Sequence, residues 1–169
     1  MNNLAAAQQW VDDFVIRLGL CPFAAPVRRA GQVRFVTVPA TDEDGVYRAF
    51  LAEAAHLLDT PAEEIATTIL ICTHALTDFD DYWEFTGACE SALAEAGLAG
   101  TLQLATFHPH YVFADTEPDD PANRTNRSPL PLLQLLREAG ITAALASYPG
   151  KPEDIPERNK ALLRKMAEE

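Results

Sequence analysis

The chain has 169 residues, a length that fits one domain with its own hydrophobic core. A composition of 48% hydrophobic and 22% charged residues is typical of a globular protein and excludes a disordered tail. The net charge of -12, without any concentrated basic segment, argues against nucleic acid or an anionic membrane surface as a partner.

The first half of the chain predicts two helices and two strands. Apolar residues within 4–18 recur at three- and four-residue steps, which predicts an amphipathic helix that Gly19 ends. The β-rich segment 33–38 predicts the first strand. Asp42 is a suitable cap for the next helix. The continuous apolar run 67–73 then predicts a strand that is covered on both faces.

A third helix and a third strand are predicted next. Thr77 or Asp78 caps the helix, which ends near Gly97. Residues 101–107 predict the strand. A long polar connection then covers residues 108–128.

The remaining residues predict a helix from Pro129, a short strand over 141–147 and a last helix from about Glu153. The order is therefore an N-terminal helix followed by four strand–helix units. Strands that are separated by helices favour parallel pairing. We expect a single α/β layered domain over residues 1–169, with about four mostly parallel strands alternating with helices.

The compartment is expected to be the cytoplasm. Three cysteines at irregular spacing do not form a disulfide framework. Asp12 and Asp13 lie where a signal peptide would be apolar. No apolar stretch approaches the roughly 20 residues that a membrane-spanning helix needs. The oligomeric state does not follow from these features.

The connection 108–128 is the strongest candidate for a binding site. Links in such folds usually have about 2–6 residues, and much longer ones are functional or disordered. This one follows the carboxyl end of a strand, where ligands collect in open α/β sheets. It also leads into the helix predicted at Pro129, whose free N–H groups attract anions. We expect a small anionic molecule, clamped by arginine, and the candidate binding residues are Arg127, Arg124, Asn123, Asn126, Ser128, Asp120, Tyr111 and Asn159.

A structural interpretation of the same segment stays open. Its asparagines and Ser128 are residue types that satisfy turn and cap backbone groups. Its arginines can pair with Asp119 and Asp120, and a bond between Asp120 and Arg127 would brace the loop.

Two side chains are candidates for catalysis. Cys21 follows a helix end and precedes a proline, so its thiol is a candidate nucleophile. The alternative is a buried cysteine that only packs in that turn. His108 at a strand end is the candidate general base or orienting group. The pair His108 and His110 also has a spacing found in metal sites, but His-x-His alone is a weak signal and no metal site is assigned. Cys72 and Cys89 are expected in the core.

Three stretches together resemble an uncharacterised bacterial family catalogued as domain of unknown function 1415. They are GLCPFA (19–24), FHPHYVFA (107–114) and DDPANRTNRSPLPLLQLLRE (119–138), and IPERN (155–159) fits the closing segment. The chain departs from the family pattern at Gln134, where the family has a histidine. The resemblance implies that the polar segments occur as a set, and it implies no reaction or cofactor.

Two functions remain as hypotheses. The first is a small-molecule enzyme that performs acyl-, amide- or group-transfer chemistry with His108 and Cys21. The second is a non-catalytic metabolite-binding or regulatory module that uses the same anion pocket. No motif identifies a cofactor.

Overall fold

The computed structural model describes residues 2–169, which form a four-stranded sheet with helices on both faces. Helix α1 continues directly as a π-helical segment, Val11–Ile16. Short 3-10 helices cover Pro121–Asn126 and Pro152–Asp154. The helices and strands, in chain order, are α1 (Asn3–Trp10), α2 (Ala24–Arg29), β1 (Val33–Val38), α3 (Glu43–Asp59), β2 (Thr67–Cys72), α4 (Phe79–Glu95), β3 (Leu102–Phe107), β4 (Leu132–Arg137), α5 (Glu138–Ala146) and α6 (Ile155–Glu168).

The strand order in the sheet is β1-β2-β4-β3, and the strand directions are mixed. β1 and β2 pair in parallel, whereas β4 pairs antiparallel with both β2 and β3. The expectation of mostly parallel strands is therefore wrong. The long connection after β3 brings the chain back beside that strand in the opposite direction, which inserts β4 between β2 and β3.

Most elements of the first hundred residues are confirmed, and so are the residues that bound them. The side chains of Asp42 and Asp78 accept hydrogen bonds from the first turns of α3 and α4, as expected of helix caps. Gly19 and Gly97 follow helices with φ of 64° and 74°, in the left-handed region that favours glycine. Every residue of β2 is buried, as its apolar run predicts.

The helix predicted from Pro129 is wrong, because residues after it form the central strand β4. Leu130 stands between two prolines, and a residue that precedes proline is disfavoured in the helical region. The leucines that follow are buried on both faces of the sheet, an environment that outweighs their helical propensity.

The strand predicted over 141–147 is also wrong, since helix α5 covers most of this segment. Ile141 and Thr142 are β-branched, but alanine dominates the rest of the segment and is the strongest helix former. No residue of α5 is fully buried, although the helix is rich in apolar residues.

The two faces of the sheet have separate apolar cores. On one face, α3 and α4 pack their buried stripes, which include Phe50 and Tyr82, against Leu70, Leu133 and Leu135. On the other face, α1 and its π-helical extension cover β1 and β2, and the segment 21–27 and α5 pack near β4. No helix among residues 2–169 is long and apolar enough to cross a membrane.

Helix α6 fastens the long connection to the start of the chain. Asn159 Nδ2 donates a hydrogen bond of 2.8 Å to the Leu20 carbonyl. Lys160 and Arg164 form ion pairs with Asp115 and Asp120 of the connection, at 3.0 Å and 2.8 Å. These contacts hold the C-terminal helix beside the sheet face that carries α1.

Candidate functional site

A cavity of about 430 Å³ lies between the sheet and the helices α1, α2, α5 and α6. Protein interiors are close-packed, with few voids larger than a water molecule. The volume falls within the range of roughly 300–1,000 Å³ that is usual for small-molecule pockets. A second hollow of about 440 Å³ has the same size, but the described residues that line it are only Thr77–Asp80 and His110. The cavity under the helices is the better enclosed of the two, and it is the candidate site.

The floor of the cavity is built from alternate residues of the strands. Successive side chains of a strand point to opposite faces, so the residues that meet the cavity alternate along each strand. They are Thr67 and Ile69 of β2, Gln103, Ala105 and Phe107 of β3, and Gln134 and Leu136 of β4. In the antiparallel register, Gln134 is the partner of both Ile69 and Ala105. The walls come from the helices and from the segment before α2, and their residues include Trp10, Val11, Val15, Leu20, Cys21, Phe23, Val27, Ile141, Ala144, Leu145, Ile155 and Asn159.

No lining residue carries a charge, among those that the structure describes. Transfer of an ion into such surroundings is costly unless an opposite charge or several hydrogen bonds compensate it. The chemistry of the lining therefore favours an uncharged, largely apolar occupant.

A few polar side chains interrupt the apolar lining. Gln134 Nε2 donates to Thr67 Oγ1 at 3.1 Å, and Thr67 Oγ1 in turn donates to the Leu135 carbonyl at 2.7 Å. Asn126 Nδ2 donates to the Thr106 carbonyl at 2.9 Å. Within residues 2–169, neither Gln134 Oε1 nor Asn126 Oδ1 accepts a hydrogen bond. Both are carbonyl oxygens available to a donor on a ligand.

Cys21 is the one cysteine that lines the cavity within the described chain, because Cys72 and Cys89 are buried on the other face. Burial raises the pKa of the Cys21 thiol, and the backbone N–H groups of Phe23 and Ala24 partly oppose that rise. The thiol is therefore protonated at neutral pH.

His108 occupies a different part of the molecule. Its ring is fully buried and packs against Phe79 and Tyr82 of α4, on the sheet face opposite Cys21. The His110 N–H donates to His108 Nδ1 at 3.0 Å, so Nε2 carries the proton and donates to the Leu76 carbonyl at 2.9 Å. Burial is the main cause that lowers the pKa of His108. The structure does not bring the two candidate catalytic side chains together, and both ring nitrogens are occupied.

The arginine expected to hold an anion instead donates to backbone carbonyls. Arg127 Nε donates to the Tyr111 carbonyl at 2.9 Å, and Nη2 donates to the Pro118 carbonyl at 2.7 Å. Asp120 caps the 3-10 helix and accepts from Arg164, whose guanidinium lowers the pKa of Asp120 to about 2. The loop is braced as the structural interpretation expects, but Asp120 and Arg127 do so with other partners.

The other predicted binding residues near this loop also make contacts within the protein. Buried Asn123 accepts from the Phe113 N–H and donates to the Glu117 carbonyl. Ser128 donates to the Leu130 carbonyl and caps no helix, which removes the helix N-terminus from the expected anion site. Tyr111 is buried within an aromatic cluster, and Arg124 lies over the Phe14 ring.

Three predicted residues, Cys21, Asn126 and Asn159, do lie together on the cavity wall. Gln134 and Thr67 also line the cavity, although neither was predicted as a site residue and Gln134 stood out only as a departure from the family pattern. The alternation of Gln134 with buried leucines becomes informative once β4 is recognised as a strand. Among residues 2–169, no group of three His, Cys, Asp or Glu side chains is arranged to hold a metal ion.

The family of the chain is shown by a model that spans almost all of it. The family model described as "Protein of unknown function (DUF1415)" matches residues 2–169, and the chain belongs to this family. No curated protein and no solved structure matches the chain significantly.

Proposed function

We propose that this member of the DUF1415 family binds a small, uncharged and largely apolar molecule in the cavity between the sheet and helices α1, α2, α5 and α6. The observation that carries this proposal is a cavity of about 430 Å³ whose lining, as far as residues 2–169 form it, has no charged side chain. The proposal keeps the metabolite-binding hypothesis but changes its site and its ligand. The site is the sheet face instead of the loop 108–128, and the ligand is neutral instead of anionic.

The energetics support an apolar ligand. Apolar surface that leaves water contributes roughly 25 cal/mol per Å². Trp10, Phe23 and Phe107 present aromatic surface to the cavity, and Ile69 and Leu136 add aliphatic surface from the sheet. A ligand that covers these groups is stabilised without the desolvation cost that an ion would carry.

Helix α5 is suited to cover such a ligand. Its Ile141, Ala144 and Leu145 line the cavity, yet none of its residues is fully buried in the protein alone. A ligand in the cavity would remove these side chains from water. We expect ligand binding to protect the backbone amides of α5 from hydrogen exchange.

A direct test is titration with N-phenyl-1-naphthylamine, an uncharged dye whose fluorescence rises in apolar surroundings. We expect saturable one-to-one binding. Ala105→Phe, on the cavity floor, and Ala144→Phe, on the opposite wall, should each weaken that binding by roughly tenfold or more. Ala55→Phe, on the exposed face of α3, is the matched control and should bind as the unmodified protein does.

Two variants on opposite walls guard against a folding defect in either one. Equal dye affinity in both correctly folded cavity variants and in the control would contradict binding in the cavity. Failure of the unmodified protein to bind any uncharged apolar probe would do the same.

An enzyme that uses Cys21 is the second candidate, because this thiol lies on the cavity wall beside the N–H groups of Phe23 and Ala24. In an acyl transfer, the Cys21 sulfur would lose its proton to solvent, form a bond to the carbonyl carbon, and expel the leaving group. His108 has no part in this version. The test is 4-nitrophenyl acetate, with release of nitrophenolate and an acetylated Cys21 detected by mass spectrometry. Equal release by Cys21→Ala would contradict it.

A further inference from the structure

We propose that Gln134 selects the ligand by its hydrogen-bond donor: the cavity takes an uncharged molecule that carries a hydroxyl or N–H group, which donates to Gln134 Oε1. This inference rests on the proposed function, since it specifies which uncharged molecules the cavity prefers.

The orientation of the Gln134 amide is fixed by its neighbours. The Thr67 hydroxyl donates its single proton to the Leu135 carbonyl at 2.7 Å. Thr67 Oγ1 can therefore only accept from Gln134, which must present Nε2 to it, as observed at 3.1 Å. The reverse orientation of the amide would place two acceptors against each other. Gln134 Oε1 is consequently the free end of the side chain.

The position of Gln134 gives that free oxygen few alternatives. Gln134 lies in the centre of the sheet, between Ile69 on β2 and Ala105 on β3, neither of which has a polar side chain. Within residues 2–169, Gln134 Oε1 accepts no hydrogen bond, and apart from Thr67 and Gln103 the strand residues that line the cavity around it are apolar. An acceptor in such surroundings gains from a donor and loses from an apolar group that displaces its water.

This arrangement discriminates between ligands of equal shape. A molecule with a hydroxyl or N–H group pairs with Gln134, whereas an ether of the same size leaves the oxygen unpaired. Sites that hydrogen-bond a ligand hydroxyl reject analogues that lack it more strongly than apolar pockets reject a lost methylene. A carboxylate is disfavoured twice, because it is charged and because it would face the Gln134 oxygen with another acceptor.

The experiment uses three related naphthalenes: 2-naphthol, 2-methoxynaphthalene and 2-naphthoate. Affinities are measured by isothermal titration calorimetry at neutral pH with the full chain. We expect 2-naphthol to bind roughly tenfold more tightly than 2-methoxynaphthalene, and 2-naphthoate to bind more weakly than both. Gln134→Met keeps the length of the side chain and removes both polar atoms, so it should abolish the preference for naphthol over the ether. Gln9→Met, at an exposed position of α1, is the matched control and should retain the preference.

The outcomes distinguish a failure of the role of Gln134 from a failure of ligand binding in the cavity. If the naphthol and the ether bind with equal affinity, the role of Gln134 is overturned while binding in the cavity stands. A preference for naphthol that persists in folded Gln134→Met likewise overturns it. If none of the three naphthalenes binds, but Ala105→Phe weakens the binding of N-phenyl-1-naphthylamine, the selection of a hydroxyl donor by Gln134 is overturned while binding in the cavity stands. If neither the naphthalenes nor the dye binds, the proposed function fails as well.

Discussion

Replacement of His108 by alanine should destabilise the fold strongly, because this side chain holds two backbone segments together. Its Nε2–H donates to the Leu76 carbonyl, and its Nδ1 accepts from the His110 N–H. Leu76 has φ of 61°, an unfavourable conformation for a residue with a side chain. The histidine bond is one of the contacts that hold Leu76 in that conformation.

The magnitude follows from what the substitution leaves behind. Two backbone groups lose their partner, and a buried polar group without a partner costs about 1–3 kcal/mol. Loss of the ring that packs against Tyr82 and Phe79 adds the cost of a cavity. We expect His108→Ala to lower the free energy of unfolding by about 3–5 kcal/mol. For a chain of 169 residues this corresponds to a fall in Tm of roughly 6–20 °C.

The assay is urea denaturation at pH 8, with His110→Ala as the control. The His110 side chain is exposed and its backbone N–H is retained, so its replacement should change the free energy of unfolding by less than about 0.5 kcal/mol. A loss below about 1 kcal/mol for His108→Ala would refute the structural role and reopen the catalytic one.

The pH dependence gives the same prediction an independent signature. Burial lowers the pKa of His108 below the ordinary 6.5, so the unfolded chain binds this proton at a higher pH than the folded one. The contribution of neutral His108 is complete above pH 6.5 and is lost as the pH falls from there through the lowered pKa. His108→Ala should lack this part of the pH dependence, and an unchanged profile would contradict the burial argument.

Three further predictions concern other parts of the fold. Asp120→Asn should lower the urea midpoint above pH 4, and the difference from the unmodified protein should vanish as the pH falls towards 2, because the pKa of Asp120 is lowered to about 2 in the folded state. Arg137 donates to the carbonyls of Leu57 and Thr60 at the end of α3 and of Ile65 before β2. Arg137→Met should therefore cost about 2–4 kcal/mol in the free energy of unfolding, and Arg137→Lys should not restore it. Iodoacetamide should label Cys21 before Cys72 or Cys89, whose pKa values burial raises to about 12, and an occupied cavity should protect Cys21.

The parts of the fold that the sequence predicted are those with strong local signals. Asp42 and Asp78 are cap residues at the start of amphipathic stripes, and the run 67–72 consists of two threonines followed by four apolar residues. Such patterns depend on neighbours within a few residues, so they can be read from the chain alone.

The wrong predictions lie where tertiary packing overrides local preference. Leucine and glutamine favour helices, but β4 occupies the centre of the sheet, where both of its faces are covered. The pair Pro129 and Pro131 was the local signal against a helix at this point. With β4 predicted as a helix, strand order and direction could not be derived correctly.

The candidate site was predicted only in part, for a related reason. Arg127 and Asn123 have the residue types of an anion site, but the backbone of a long loop needs the same donors and acceptors, and it uses them here. Gln134 has no local signature, because its importance comes from a strand pairing that joins distant parts of the chain. Cys21 was found from its place between a helix end and a proline, which is a local feature.

A crystal structure of the protein with 2-naphthol bound tests the central claim most directly. We expect the naphthalene ring between the sheet and helix α5, with its oxygen within hydrogen-bonding distance of Gln134 Oε1. An α5 that packs down on the sheet and leaves no cavity, or a naphthol held elsewhere on the surface, would contradict the account.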